Sequence, residues 1–463
     1  MKQAWELARE KTDGAVPRLL TEEEQTWEAN TVVGEAEDAH LRLLWNSHVP
    51  GSNAPESIML AAVQAKENLG FSVRDGVALW EEGQRAAARD DMPELNRISA
   101  ALWQAVNEAP KDPSHPSWGY RCYQSWEEAR AAMRLPAAVA VTPTEEQFYA
   151  GWLAQIIGGA IGTMIEGYTT DAIRRQFGEV RSYLRQPNTM NDDITYELAF
   201  LDACERAGTA VSARDIALAW TAYIPSGWSA EEIALGNIAH GVLPPESGRR
   251  GNPFCEWIGA QMRGAVCGML APGDPSGAAR LAWLDGEVSH ASNGILGEVY
   301  NALLVSGAFA GEEPRQLVQS CAEMLPQDSE YSAIVNFALD ACRANDGWEA
   351  AWRRCEKRAA RYNWIHAYPN AMAEVVALWY GNGDFDETAY IIAMEGQDVD
   401  CNAAQILTVI GILRGLDGIR PAWREPIGDR LDTYMRAPYR LLSIRDLARR
   451  TAVQAARFAA AGK

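Results

Sequence analysis

Residues 148–167 read FYAGWLAQIIGGAIGTMIEG, a nearly unbroken run of apolar and small side chains. Its length suits a membrane span, but its content does not. The run stands alone, contains Gln155, ends in Glu166 and lacks basic flanks. A helix buried in protein satisfies these features better, because glycines let neighbouring helices approach closely. This segment is therefore expected to be a buried, glycine-rich helix packed closely on its neighbours. The glycines at 158, 159 and 162 form no phosphate-binding fingerprint, because no strand precedes them.

The rest of the chain is helical in the same way. SAEEIALGNIAHGV (229–242), SGAARLAWLDGEV (276–288), GEVYNALLVSGAF (297–309), TAYIIAMEG (388–396) and IRDLARRTAVQAARFAA (444–460) each place apolar residues at i, i+3 and i+4 between polar caps. Strand signals are sparse. AVAVT (138–142) alternates, yet it also reads as linker. No repeat of fixed period is visible, which disfavours a solenoid. The expected fold class is all-α, in two regions: an N-terminal helical region, 1–140, and a main domain, 141–463. Between them, Thr142-Pro143-Thr144-Glu145 reads as a capping box with proline at the first helical position. The N-terminal region is rich in Trp and Glu and shows no legible chemistry. Covering the main domain, dimerisation and shaping one side of a cleft are its open roles.

Two short acidic clusters stand out. Asn191-Asp192-Asp193 lies within NTMNDDITYEL, and Asp398-Val399-Asp400-Cys401 within GQDVDCNAAQI. Each precedes an apolar helical run. On spacing alone, each serves as an N-cap, where Asp and Asn oxygens accept free backbone N–H groups. Should the two helix starts converge, four carboxylates would make a site for one or two hard divalent cations, which take oxygen ligands.

Composition narrows the function. The 463-residue chain carries a formal net charge of −20, which argues against nonspecific nucleic-acid binding. Its 17 Trp are expected mainly as core and groove walls, with some free to stack on a ring-bearing ligand. The eight Cys form no CxxC pair and read as reduced thiols, not as disulfides or a zinc site. The N-terminal MKQAWELAREK has no apolar signal core. A cytoplasmic protein with no membrane association is expected.

Past the boundary, motifs follow in a defined order: WLAQIIGGAIGTMIEG, MNDDITYEL, NPFCEWIGAQMRGAVCGMLAPG, AARLAWLDGEVSHASNGILGEVYNALLVSGAF, HAYPNAMAEVVALWYGNGDFD and EGQDVDCNAAQILTVIGILRGLDGIRPAW. This succession, across residues 147–455, resembles the ADP-ribosylglycohydrolase family, especially its longer bacterial members with an extra N-terminal helical region. The resemblance implies an all-α fold with Mg²⁺ or Mn²⁺, one or two ions, at the bottom of a cleft. It implies hydrolysis of an N-glycosidic bond to ribose in an ADP-ribosyl, NAD-derived or nucleoside-like conjugate, either a small molecule or a modified protein. The implied metal residues are Asn191, Asp192, Asp193, Asp398, Asp400 and Cys401. The implied catalytic residues are Asp193, Asp400 and Glu166, and those for substrate are His290, Asn293 and Asn402.

Physical chemistry supports the pattern, because an oxocarbenium-like transition state gains from nearby carboxylates, and a cation both orients a sugar and acidifies water. Each role has a plainer counterpart. Glu166 also reads as a surface carboxylate at a helix end, His290 as a core histidine, His366 as a helix cap and Glu256-Trp257 as packing. Four departures from the family pattern are visible. Asn191 replaces a hydroxyl residue, Cys401 replaces Ser or Thr with a soft sulfur, Ile194 replaces Thr, and Gly159 stands where many members have Asp. They leave a second reading, a catalytically altered ADP-ribose-binding or structural protein on the same fold. The oligomeric state stays open, a dimer among the options.

Overall fold

The computed structural model describes residues 1–461 and contains twenty-two α-helices. Its strands, among the described residues, are two short antiparallel hairpins, one of which pairs β1 (Ser47–His48) with β2 (Pro55–Glu56). The all-α expectation holds.

The architecture is built around α1 (Glu145–Gly162), in which every residue from Phe148 onward is buried. It starts two residues later than the sequence suggested. Thr144, not Thr142, is the N-cap: its hydroxyl accepts Gln147 N–H at 3.2 Å, and Gln147 Oε1 accepts Thr144 N–H at 3.0 Å. The Val139 N–H is bound to Gly273 O at 2.8 Å and Val141 packs on the core, which holds the residues before the cap extended.

Six more helices complete the frame: α2 (Asp192–Ala207), α3 (Ser229–Ala239), α4 (Asn293–Phe309), α5 (Ala367–Gly381), α6 (Val399–Arg414) and α7 (Ile444–Ala461). Helices α1 and α6 run antiparallel at near-backbone contact. A Cβ on Gly158 would lie 2.5 Å from the Ala403 carbonyl, and one on Gly162 would lie 2.1 Å from Asp400 N. From the other side, a Cβ on Gly411 would lie 2.6 Å from Ala150 O. Gln155 Nε2 donates to Glu197 Oε1 of α2 at 2.8 Å. Trp152 Nε1 reaches Thr451 Oγ1 of α7 at 3.0 Å. The helix that resembled a membrane span is thus the buried core element, and no helix among the described residues is long and apolar enough to cross a membrane.

The N-terminal region packs onto this frame. Trp45 is buried and donates to Ser99 Oγ at 2.8 Å. His40 Nε2 meets Glu232 of α3 at 2.6 Å, and Tyr123 OH donates to Asp328 at 2.5 Å. The β1–β2 hairpin lies against the loop that follows α1: Tyr168 OH donates to Ser52 O at 3.1 Å, and Gly51 sits against Thr163. All eight cysteines are free thiols; Cys122 is exposed, Cys255 half-buried and the others buried.

The closeness of α1 and α6 is open to direct measurement. Gly162→Ala forces backbone apart and is expected to destabilise the protein by about 3 kcal/mol in chemical denaturation. Gly236→Ala is the matched control at an exposed position of α3, where an added Cβ meets nothing within 4 Å. It should gain up to about 1 kcal/mol from helix propensity. Equal effects would remove the packing argument.

Candidate metal centre

Each acidic cluster occupies the start of a long helix, and the two starts meet. Asn191 is the N-cap of α2, its Oδ1 accepting Asp193 N–H at 2.8 Å. Its amide nitrogen faces the other cluster, donating to Asp400 Oδ2 at 3.2 Å. Gly159 leaves room for this arrangement: a Cβ there would lie 3.0 Å from Asn191 Nδ2. The capping reading therefore fits Asn191. It does not fit Asp398, which stands at the N-cap of α6 without a side-chain capping bond.

The remaining acids converge. One ligand atom from each of Asp192, Asp193 and Cys401 lies within 4.8 Å of the others, and the same holds for Asp398, Asp400 and Cys401. Cys401 is common to both groups. Both oxygens of Asp193, and one each of Asp398 and Asp400, are buried without any hydrogen-bond partner. Leaving buried charged oxygens unsatisfied is costly unless something neutralises them.

Burial is the main reason these acids resist ionisation, with like-charge repulsion adding to it. Asp398 is pushed up to about 7, and Asp193 and Asp400 well above the usual carboxylate range. Glu395 makes a useful contrast. It too is buried with two unpartnered oxygens, but burial alone raises its pKa, with no neighbouring charge contributing. Repulsion within the Asp cluster is what a cation relieves. The oxygens present fit Mg²⁺ or Mn²⁺. The Cys401 thiol fits less well: burial holds it protonated, and its Sγ lies 3.7 Å from Met262 Sδ.

Glu166 joins this group from the turn after α1. Gly167 N–H donates to Gln397 O at 2.8 Å and Gln397 N–H to Tyr168 O at 3.0 Å. This stitching holds the Glu166 loop against the residues that enter α6. Burial raises the Glu166 pKa well up, followed by the charges of Asp400, Asp398, Asp192 and Glu56.

The other sequence-derived candidates make their hydrogen bonds elsewhere. His290 is fully buried, shares a hydrogen bond with Ser289 Oγ at 2.7 Å and leaves Nε2 without a partner. Burial and the neighbouring Arg263 hold it neutral. Asn293 begins α4, donates to Glu256 Oε1 at 2.8 Å and accepts Tyr331 N–H at 3.2 Å. Asn402 donates to Asn370 Oδ1 at 2.7 Å, and the same oxygen accepts Asp398 N–H at 3.2 Å. Asn402 thus braces the Asp398 turn from behind. His366 caps α5, its Nδ1 accepting Tyr368 N–H at 3.2 Å.

Two residues near the cluster carried no sequence signal. Glu231, in the first turn of α3, is held by Arg263 Nη1 at 3.1 Å and pushed up to about 7 by burial, with Asp192 adding to the rise. Tyr434 is half-buried, and burial and Asp192 raise its phenol. Glu231 reads as one of two glutamates opening a helix. Tyr434 lies in a loop of no distinctive pattern.

The sequence profile of the ADP-ribosylglycohydrolase family matches residues 140–456. The chain belongs to the ADP-ribosylglycohydrolase family. Among solved structures, one similar chain is described as an "ADP-ribosylglycohydrolase-related protein complex". It is 19% identical, with a TM-score of 0.45 over 68% of this chain and 98% of that one. No curated protein matches. Family membership supports a hydrolase acting on ADP-ribosyl conjugates.

The cluster's electrostatics give a signed pH dependence. In the unfolded chain an Asp loses its proton near pH 4. The folded, cation-free cluster keeps a proton to about pH 7 at Asp398, and burial and like charge also hold Asp193 and Asp400 well above the usual carboxylate range. The folded state then binds more protons, so the cluster's contribution to stability falls as pH rises through that window. A divalent cation replaces the protons. The rise in Tm on adding Mn²⁺ is therefore expected to be larger at pH 8 than at pH 5, and to vanish in the Asp398→Asn, Asp400→Asn double variant. Equal shifts at both pH values would count against a cation held by these acids.

Proposed function

We propose that this family member is a divalent-cation-dependent hydrolase that cleaves the N-glycosidic bond to ribose in an ADP-ribosyl or related conjugate. One observation carries the reading: two helix starts bring four aspartates together, with buried oxygens that no protein donor satisfies. Asp192, Asp193, Asp398 and Asp400 would hold Mg²⁺ or Mn²⁺. When bound, the ion supplies Lewis acidity and a fixed point for the ribose hydroxyls.

The protein's own groups do the rest. The Asp193 and Asp400 carboxylates stabilise positive charge developing at the anomeric carbon. Glu166, at the rim of the cluster, takes the proton of the attacking water on its carboxylate and returns it to the departing nitrogen. In sum, water adds across the C–N bond: a C–O bond forms, the C–N bond breaks, and the nitrogen leaves protonated. Asn191 and Asn402 orient the two helix starts. Small-molecule and protein-attached conjugates both fit this chemistry.

A product screen by mass spectrometry tests the reading, with and without Mg²⁺ or Mn²⁺, over ADP-ribosyl-arginine, ADP-ribosyl-serine, NAD and nucleosides. Metal-dependent release of ribose-containing product from at least one substrate is expected. Asp400→Asn should lower that turnover by at least about a hundredfold while leaving the fold intact. Wild-type rates in this variant at limiting metal would refute the assignment.

Cys401 bears on how many ions bind. A protonated sulfur shared by both groups is a poor ligand for Mg²⁺ or Mn²⁺. One well-held ion is expected, with a second weaker. Cys401→Ser should raise affinity for the second by about tenfold in Mn²⁺ titration calorimetry. Two equally tight ions in the unmodified protein would make the cysteine a bystander.

A further inference from the structure

The β1–β2 hairpin lies outside the family-matched residues yet packs beside the proposed metal centre. Its tip packs on the loop carrying Glu166, where a Cβ on Gly167 would lie 2.7 Å from the Ala54 side chain. At the hairpin's end, Glu56 pairs across the ladder with Ser47. Each Glu56 oxygen has one protein donor: Ser47 Oγ to Oε2 at 2.9 Å and Trp228 Nε1 to Oε1 at 2.9 Å. The carboxylate is half-buried, so it keeps some access to solvent.

Trp228 is itself placed with effort. The next residue, Ser229, adopts a left-handed φ of +46°, which costs free energy for any residue but glycine. That turn sends the Trp228 indole to Glu56 while starting α3, which carries Glu231. Glu56 therefore stands between the Glu166 loop and the α3 start. Both elements border the acidic cluster: Glu166 feels the charges of Asp400, Asp398 and Glu56, and Glu231 that of Asp192.

Charge decides what such a site receives. Four aspartates, Glu166, Glu231 and Glu56 surround it, more acid than one or two divalent cations offset. Arg263 is fully buried and already engaged by Glu231 and Asp285. Among the described residues Glu56 has no cationic partner; its donors are a hydroxyl and an indole. A carboxylate held rigid by neutral donors and left unneutralised attracts a positively charged, N–H-rich group.

We propose that Glu56 is a specificity-determining residue, contributed by the N-terminal region, that selects a cationic group attached to the ribose, a guanidinium or an ammonium. The inference rests on the hydrolase reading for its reaction, but not for its binding chemistry. Glu56 orients the leaving group and makes no bond to the reacting carbon.

The test uses full-length protein with Mn²⁺, as wild type and as Glu56→Gln. Glutamine keeps an oxygen for the Trp228 indole, so the hairpin stays anchored; an unchanged Tm and Mn²⁺ affinity check this. The first arm is binding without turnover: butylguanidinium and butylammonium are titrated against neutral butanol. Wild type should bind a cation in preference to the alcohol, and Glu56→Gln should weaken that binding about tenfold. The second arm compares kcat/KM on ribosyl conjugates with cationic and neutral leaving groups. The cationic-to-neutral ratio should fall about tenfold in the variant, chiefly through KM. An equal loss on both substrates, or no cation preference in wild-type binding, overturns the proposal. Cation binding lost in Glu56→Gln, together with no turnover by wild type on any conjugate, supports it while striking the hydrolase reading alone.

Discussion

Everything at the proposed centre depends on how closely α1 and α6 approach. At Gly158 and Gly162 the backbone of one helix lies where the other's side chains would otherwise be, and Gly411 does the same in return. Close approach removes a layer of side chains between the helices. It thereby fixes the first turn of α6, and with it Asp398 and Asp400, directly against the end of α1. The Glu166 turn follows α1 immediately, so the same contact sets its place. Asn191 then closes the arrangement, because its amide reaches Asp400 from the start of α2. One backbone contact thus positions acids from three separate stretches of sequence.

This arrangement has an electrostatic cost that the fold handles in two ways. Burial biases the acids remote from the cluster toward the neutral form. Glu197 accepts hydrogen bonds from Gln155 and Gln405, and burial holds its pKa high. Such groups act as ordinary hydrogen-bonding members of a core. Protonation alone suits the Asp cluster poorly, since a neutral carboxylic acid donates one hydrogen bond and the structure offers several of these oxygens no partner at all. The supply of oxygens exceeds the supply of donors. A site with that imbalance is better matched to a cation than to protons.

The sequence made the fold and the acidic core of the site legible, because both are written locally. A long apolar, glycine-rich run without basic flanks marked a buried helix, and the partner that Glu197 gives Gln155 appears only in the fold. Paired acids before helical runs marked the helix starts. What the sequence hid depends on tertiary packing. Glu231 and Tyr434 approach Asp192 only once α3 and the loop after residue 430 fold over α2. His290, Asn293 and Asn402 sit in matching motifs, yet Ser289, Glu256 and Asn370 each engage one polar atom of theirs, a fact no spacing reveals. The cap at Thr144 was displaced for a similar reason, since the anchoring of Val139 to Gly273 is a long-range bond.

The N-terminal region changes its meaning once these contacts are traced. Read along the chain, it is a helical extension without chemistry. In space, its hairpin buttresses the Glu166 loop, and the loop's own hydrogen bonds tie it to the turn that enters α6. Mechanical support for the acidic centre therefore runs from a segment outside the family-matched residues. The first helices contribute differently: Ala4–Asp13 has no buried residue, and only Trp45 of Glu28–Trp45 is buried. The coupling to the centre begins where Trp45 plants the chain and the hairpin follows. Residues 47–56 are thus the part of the extension whose sequence the centre constrains most, because a shift there moves the loop that holds Glu166.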